Sequence, residues 1–348
     1  LEPYWDICRY TGYGRALDIA ARDLYGVDRI DRSSIENLNQ FFIEALNSGR
    51  HYSYVLHEKS NIKVSIVDSE STECDSDFFR ISYHVDGFIA PNTIDYIKHI
   101  EDESGVLISS FDDWLEACYK MLDKAFENGA VSLKSALAYE RTLKYDNVTK
   151  YQAEQEFNRI FEDMHGLKWT GRTFLMGKNF QDYMMHYILN YANKKGAAFQ
   201  FHTGIQEGNG NFVYNSDPAL LSNLFLQYPN VKFDIFHMGY PYQQVVSVLA
   251  KMFPNVYIDM CWAHIVSPTA SVNALIEWLD CVPLNKISAF GGDYCFVDGV
   301  YAHQYMAREN VSKALSKKVD EGLFDISAAK HIAHMLFFDN PYNLFLSY

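Results

Sequence analysis

Apolar residues recur along this chain in two rhythms. Short β-prone runs stop at a glycine or a polar residue, and segments of helical spacing lie between them. Ala197–Phe201, between Gly196 and Gly204, reads as a buried strand that stops at His202. Val231–Met238 repeats the form and carries His237 in front of Gly239. Asn255–Cys261 is a third run, ending beside Trp262, and Lys286–Asp293 is a fourth, ending in an acid. Between them Pro218–Gln227, Gln243–Met252 and Ala270–Leu279 have the length and pattern of helices. Strand and helix in alternation, with polar residues at successive strand ends, is the βα repeat of a barrel. A parallel α/β barrel places its chemistry at those ends, so His202, His237 and Asp293 are expected on one rim. Imidazole and carboxylate together suit a divalent transition metal, most often zinc.

Upstream the rhythm changes. Residues 1–60 read as a helical segment, a lid or insertion, with amphipathic stretches at Arg15–Leu24 and Ser33–Leu46 and no strand candidate. Residues 61–348 are expected to form the barrel domain. Its first strands are Ile62–Val67 and Phe79–Val85, the latter carrying His84, followed by helices at Ile94–Ile100 and Phe111–Asn128. Ala130–Tyr139 reads as a strand with Lys134 in its middle. A buried lysine costs several kcal/mol unless it is paired, neutral or modified. Lys134 is either a water-facing edge residue or a cation at the barrel mouth, set to contact an anionic substrate or, if carboxylated, a metal. Tyr139 and Arg141 follow near the rim, where Arg141 would grip a carboxylate with two parallel hydrogen bonds or else make an ordinary surface ion pair.

A helix is expected over Thr149–Met164, a loop at Trp169-Thr170-Gly171, and a helix over Asn179–Asn193 whose aromatic and Met stripe reads as packing. His264 is a pocket-side candidate only. Tyr294 and His303 are placed in the last loop, with helices over Ser312–Glu321 and Ile326–Phe338 closing the chain. The strands number seven where a closed barrel of this kind needs eight. The expected fold is therefore α/β, a TIM-type (β/α)8 barrel lacking its first strand in this chain and carrying an N-terminal helical insertion.

Composition narrows the partners. Hydrophobic residues make up 48% of the chain, enough for a large core, and the formal net charge is -14. That charge argues against nucleic acid, which is bound through clustered Lys and Arg. No apolar run approaches the ~18 residues of a membrane span, and the start, Leu-Glu-Pro-Tyr-Trp-Asp, shows no leader pattern. The six cysteines are scattered without a CxxC pair and read as free thiols of a reducing, cytoplasmic compartment. The expected partner is a small molecule, with self-association into a homo-oligomer open.

Three motifs in order carry a resemblance: His202-Thr203-Gly204, then His237-Met238-Gly239-Tyr240-Pro241, then Gly291-Gly292-Asp293. Together they resemble the fifth, sixth and eighth strand ends of the amidohydrolase-related metal-dependent hydrolases, and more distantly the uronate isomerases. The likeness is strongest over residues 129–345, and the segment around Lys134 resembles the family's fourth strand. The resemblance implies a divalent metal, zinc, held by His202, His237 and Asp293. Asp293 would orient and deprotonate water, and His237 would ligate a second metal or polarise a carbonyl. Lys134, Tyr139 and Arg141 would hold an anionic substrate. Hydrolysis of a C–N bond ranks first, and isomerisation of a uronate or decarboxylation is the alternative. The family's first-strand His-x-His pair is missing among the 12 histidines. It is expected either to lie upstream of this chain or to be lost, leaving a barrel without catalysis.

Overall fold

A computed structural model describes residues 2–162, 176–208, 210 and 212–347. Among the described residues seven strands follow one another in chain order through one sheet: β1 Ser65–Ser69, β2 Phe79–His84, β3 Ser132–Ser135, β4 Ala198–Phe201, β5 Lys232–Ile235, β6 Val256–Asp259 and β7 Ile287–Ser288. Pairing is parallel from β2 through β5 and between β6 and β7, as helical crossovers require. This is an α/β fold with the strand sequence of a TIM-type barrel. The chain divides into two compact units, one of Ile66–Ile235 with Phe253–Val256, the other of Leu1–Ser65, Phe236–Met252 and Tyr257–Ser347.

In the unit of Ile66–Ile235 the sheet has two unlike faces, because side chains alternate along each strand. Tyr83, Leu133, Phe199 and Phe233 stand in one register row, all buried and apolar. Phe225 closes on Phe233 with ring centroids 5.0 Å apart. The next row is polar: His84, Lys134, Gln200 and Asp234. Strands buried on both faces usually read as continuous apolar runs. A polar row at the C-terminal ends of four parallel strands is what the mouth of a barrel provides. Helices cover the apolar row. Phe111–Glu127 starts at Ser110, whose hydroxyl accepts from the Asp113 amide at 3.3 Å. Lys178–Lys195 ends at Gly196.

In the other unit the centre is the helix Val297–Asp320, buried along Ala302, Met306, Ala307, Val311 and Ala314. The helix Gly12–Tyr25 approaches the Ile265 carbonyl so closely that a Cβ on Gly12 would lie 1.9 Å from its oxygen. Only glycine fits there. The Tyr25 hydroxyl donates to Asp298, whose other oxygen meets His51 Nε2 at 3.0 Å. This buried cluster ties the helical start of the chain to the N-terminus of Val297–Asp320.

Several expected elements are shorter than their apolar runs. Over residues 2–60 the regular elements are all helical, with Ser53–Lys59 a π-helix. The first strand lies at Ser65–Ser69 rather than Ile62–Val67, and Ala130–Tyr139 pairs only over Ser132–Ser135 before a 3-10 turn at Leu137–Tyr139. Lys286–Asp293 pairs over two residues only, Ile287–Ser288. His303 is not in a loop: it lies inside Val297–Asp320, which begins well before the expected Ser312. The first part of that helix, Val297–Gln304, is buried or half-buried at every position, so it shows no amphipathic stripe to read. The expected helix over Thr149–Met164 is observed as Lys150–Glu162. Its expected end at Met164 and the loop at Trp169–Gly171 fall outside the described residues.

Candidate metal centre

The strands that end near His237, Cys261 and Asp293 all leave the sheet through left-handed backbone. β5 stops at Ile235, and His237 and Met238 have φ of 63° and 46°. β6 stops at Asp259, and Trp262 has φ 62°. Past β7, Asp293 has φ 52°. Such residues cost about 1–3 kcal/mol each and gather where a site over-determines the backbone. Among the described residues, His237, Cys261 and Asp293 bring three potential metal-ligand atoms within 4.8 Å of one another.

The histidine is set for this task. His237 Nδ1 donates to the Cys261 carbonyl at 3.0 Å, so the neutral ring presents Nε2 as its acceptor. Nε2 lies 3.9 Å from Asp293 Oδ2. A ligand histidine with its other nitrogen held by a carbonyl is the usual outer-shell arrangement of metal sites. His237 is 1% exposed and packed edge-on against Trp262 at 5.4 Å, while the Asp293 side chain is 48% exposed. One group is rigid and dry, and the other reaches water.

Two further histidines of this unit are structural. His264 Nε2 donates to the Ala289 carbonyl at 2.8 Å, and Asn310 reaches its Nδ1 at 3.2 Å. His303 Nδ1 donates to the Gly292 carbonyl at 3.1 Å, fixing the peptide in front of Asp293. Burial pushes His264 down to about 4, and burial with the neighbouring His264 pushes His303 down to about 3. Both are neutral at pH 7, so the pocket-side expectation for His264 gives way to a core role.

In the other unit, His202 follows β4 and is 4% exposed. Its Nε2 donates to the Ile205 carbonyl at 2.8 Å, leaving Nδ1 as the acceptor of the neutral ring. Tyr139 packs on it with ring centroids 4.5 Å apart, and the Tyr139 hydroxyl accepts from the Glu207 amide at 3.0 Å. Lys134 is buried in the polar row rather than facing water at an edge. Beside it Gln200 donates to Asp234 at 3.1 Å. Burial raises the Asp234 carboxyl above its ordinary value, against the pull of Gln200 and Lys134. At the end of the row, burial opposes the His84 charge. Hydrogen bonds to Asp68 at 2.7 Å and Asp86 at 3.0 Å nonetheless push the imidazole up to about 10. His84 is therefore an imidazolium at pH 7.

Arg141 does not stand open to a ligand as expected. Its guanidinium donates to the Asp182 carboxylate at 2.6 Å, to Gln181 at 3.0 Å, and to the carbonyls of Thr142 and Lys144 at 2.9 and 3.0 Å. It also lies 4.2 Å over the Tyr145 ring. The side chains of Arg141 and Asp182 are 8% and 1% exposed, so the pair is an internal clamp on the segment after β3. Sequence reasoning missed Cys261, the His84 ion cluster and Asp234. The signal for Cys261 was its position at a strand end, the same signal that singled out the histidines. For Asp234 it was a charge inside an apolar run.

The amidohydrolase family model matches residues 135–345, more than half of the chain. The chain belongs to the amidohydrolase family. Family membership implies a divalent metal, and the imidazole, thiol and carboxylate donors gathered here fit one. Protein fluG of Emericella nidulans is 28% identical over 174 residues, which is 48% of this amidohydrolase chain and 20% of that protein, so the match spans about a fifth of its length. A uronate isomerase of Thermotoga maritima has a TM-score of 0.77 at 15% identity, covering 99% of this chain and 80% of that one. A protein from Lactobacillus casei described as a metal-dependent hydrolase has a TM-score of 0.70 at 17% identity, covering 96% and 83%. These likenesses show the shared fold. Among the described residues no helix is long and apolar enough to cross a membrane, and none of the six cysteines is in a disulfide.

Proposed function

We propose that this amidohydrolase-family chain is a metal-dependent hydrolase of a small anionic substrate in the cytoplasm. The observation that carries the reading is His237, held by the Cys261 carbonyl so that Nε2 faces Asp293 at 3.9 Å. When bound, a divalent ion, zinc on this donor chemistry, would supply Lewis acidity and acidify water. The chain's own residues do the rest. Asp293, half-exposed, takes the proton of the attacking water and returns it to the leaving group. His237 holds its ring fixed between Trp262 and the Cys261 carbonyl, so its Nε2 needs no reorganisation. His202 is proposed as a further ligand on the sequence pattern alone. Lys134 and Tyr139 are proposed to receive the anionic group, and Arg141 to hold their segment in place.

The test is metal content by elemental mass spectrometry, on this chain and on an upstream-extended form, with His237→Ala and Asp293→Asn beside them. Metal retained by the parent and lost from His237→Ala supports the reading. A parent that holds no metal in either form leaves a barrel without catalysis. Turnover of N-acyl or amide substrates identifies the hydrolase; turnover of free hexuronates alone identifies the sugar-acid isomerase instead.

A further inference from the structure

We propose that the Cys261 sulfur is itself a metal ligand, completing with His237 Nε2 and an Asp293 oxygen a nitrogen–sulfur–oxygen set that selects a thiophilic ion. The inference rests on the metal-dependent reading above and goes beyond it, because imidazole and carboxylate alone carry no demand for sulfur. One ring nitrogen of His237, the Cys261 sulfur and a carboxylate oxygen of Asp293 already lie within 4.8 Å of one another. Ligand atoms sharing one zinc stand roughly 3–4 Å apart, given bonds of about 2.0–2.3 Å. His237 and Asp293, at 3.9 Å, meet that spacing. From the 4.8 Å limit the remaining closure is on the order of 1 Å.

The surroundings of Cys261 are shaped around its side chain. A Cβ on Gly291 would lie 2.6 Å from the Cys261 sulfur and 2.7 Å from its Cβ. The missing side chain of Gly291 is thus the space the thiol occupies, two residues before Asp293. The Cys261 amide donates to Asp259 Oδ1 at 2.6 Å, and its carbonyl receives His237 Nδ1 at 3.0 Å. One residue therefore orients the histidine through its backbone and offers a ligand through its side chain. Directly after it the chain turns left-handed at Trp262, whose ring covers His237.

Binding changes protonation and nothing else. A buried thiol ordinarily keeps its proton. As the sulfur lone pair forms the bond to the ion, the S–H proton leaves to solvent, with no change of oxidation state. Sulfur also ranks the ions: zinc, cobalt and cadmium over magnesium and manganese, which prefer oxygen-only sites.

The test uses the 348-residue chain, stripped of metal and titrated with Co(II) as a spectroscopic zinc substitute. The expected result is a thiolate-to-cobalt charge-transfer band in the near ultraviolet. Cys261→Ser should abolish the band and weaken Co(II) binding at least ~10-fold, while Cys295→Ser, two residues past Asp293, should keep both. On the unaltered protein loaded with Zn(II), X-ray absorption should show a sulfur shell at about 2.3 Å, a result independent of whether any variant folds. Bound zinc without that shell, or a band lost in Cys295→Ser and kept in Cys261→Ser, would overturn the assignment while leaving the metal reading standing. If neither this chain nor its upstream-extended form takes up Co(II) or Zn(II), both readings fall.

Discussion

Replacing Arg141 with Met decides whether that arginine serves the fold or a ligand. Methionine keeps much of the stem volume and cannot pair. In the native protein the guanidinium makes four hydrogen bonds to protein acceptors, one of them to a carboxylate that is 1% exposed. After substitution Asp182 keeps Lys178 and the Asp146 amide, the latter at 3.1 Å. Breaking a buried pair by removing one partner costs about 3–5 kcal/mol, and the retained Lys178 places the expected loss near the lower end. With an m-value of about 3 kcal/mol/M in urea, a loss of that size lowers the midpoint by about 1 M. The assay is urea unfolding at pH 7 followed by circular dichroism. The double variant Arg141→Met/Asp182→Leu should recover much of the loss, because an apolar pair leaves no buried charge behind. A midpoint unchanged in Arg141→Met, with weakened substrate binding once a substrate is known, would refute the clamp and restore the ligand-gripping role expected from sequence.

Three further outcomes follow from the same geometry. The His84 imidazolium has a raised pKa, so its stabilising contribution is complete below the unfolded value near 6.5 and is lost as pH rises through about 10; His84→Gln should flatten the alkaline limb of a pH series of thermal melts. His264 and His303 are depressed to about 4 and about 3, so the unfolded chain binds more protons and stability falls as pH drops below about 6.5; His264→Gln should reduce that acid slope, and an unchanged slope would count against its neutral core role. Gly291→Ala puts a methyl against Cys261, costing about 1–3 kcal/mol by overpacking, and should weaken zinc binding more than Gly105→Ala, whose left-handed position has nothing within 4 Å of an added Cβ; equal metal affinity in the two variants would show the thiol free to move.

The sequence by itself determined the strand–helix alternation and the residues at strand ends. These are local signals: apolar spacing reports which face is buried, and a glycine or polar residue marks where a strand stops. They singled out His237 and Asp293, which the fold brings to 3.9 Å. The same signals fixed the helices Gln243–Met252 and Phe111–Glu127 almost to the residue. What the sequence left undecided is pairing across distance. Arg141 meets Asp182, which is 41 residues away, and the buried carboxylate makes the arginine a clamp rather than a grip. Cys261 reaches the site because β6 and β7 pair in parallel, Ile258 to Ile287, so their C-terminal extensions run out side by side. The polar row His84, Lys134, Gln200 and Asp234 exists only through the register of four strands. His303 was hidden for the opposite reason: the part of its helix that carries it, Val297–Gln304, is buried or half-buried throughout, so it has no exposed face and no period by which the chain can be read.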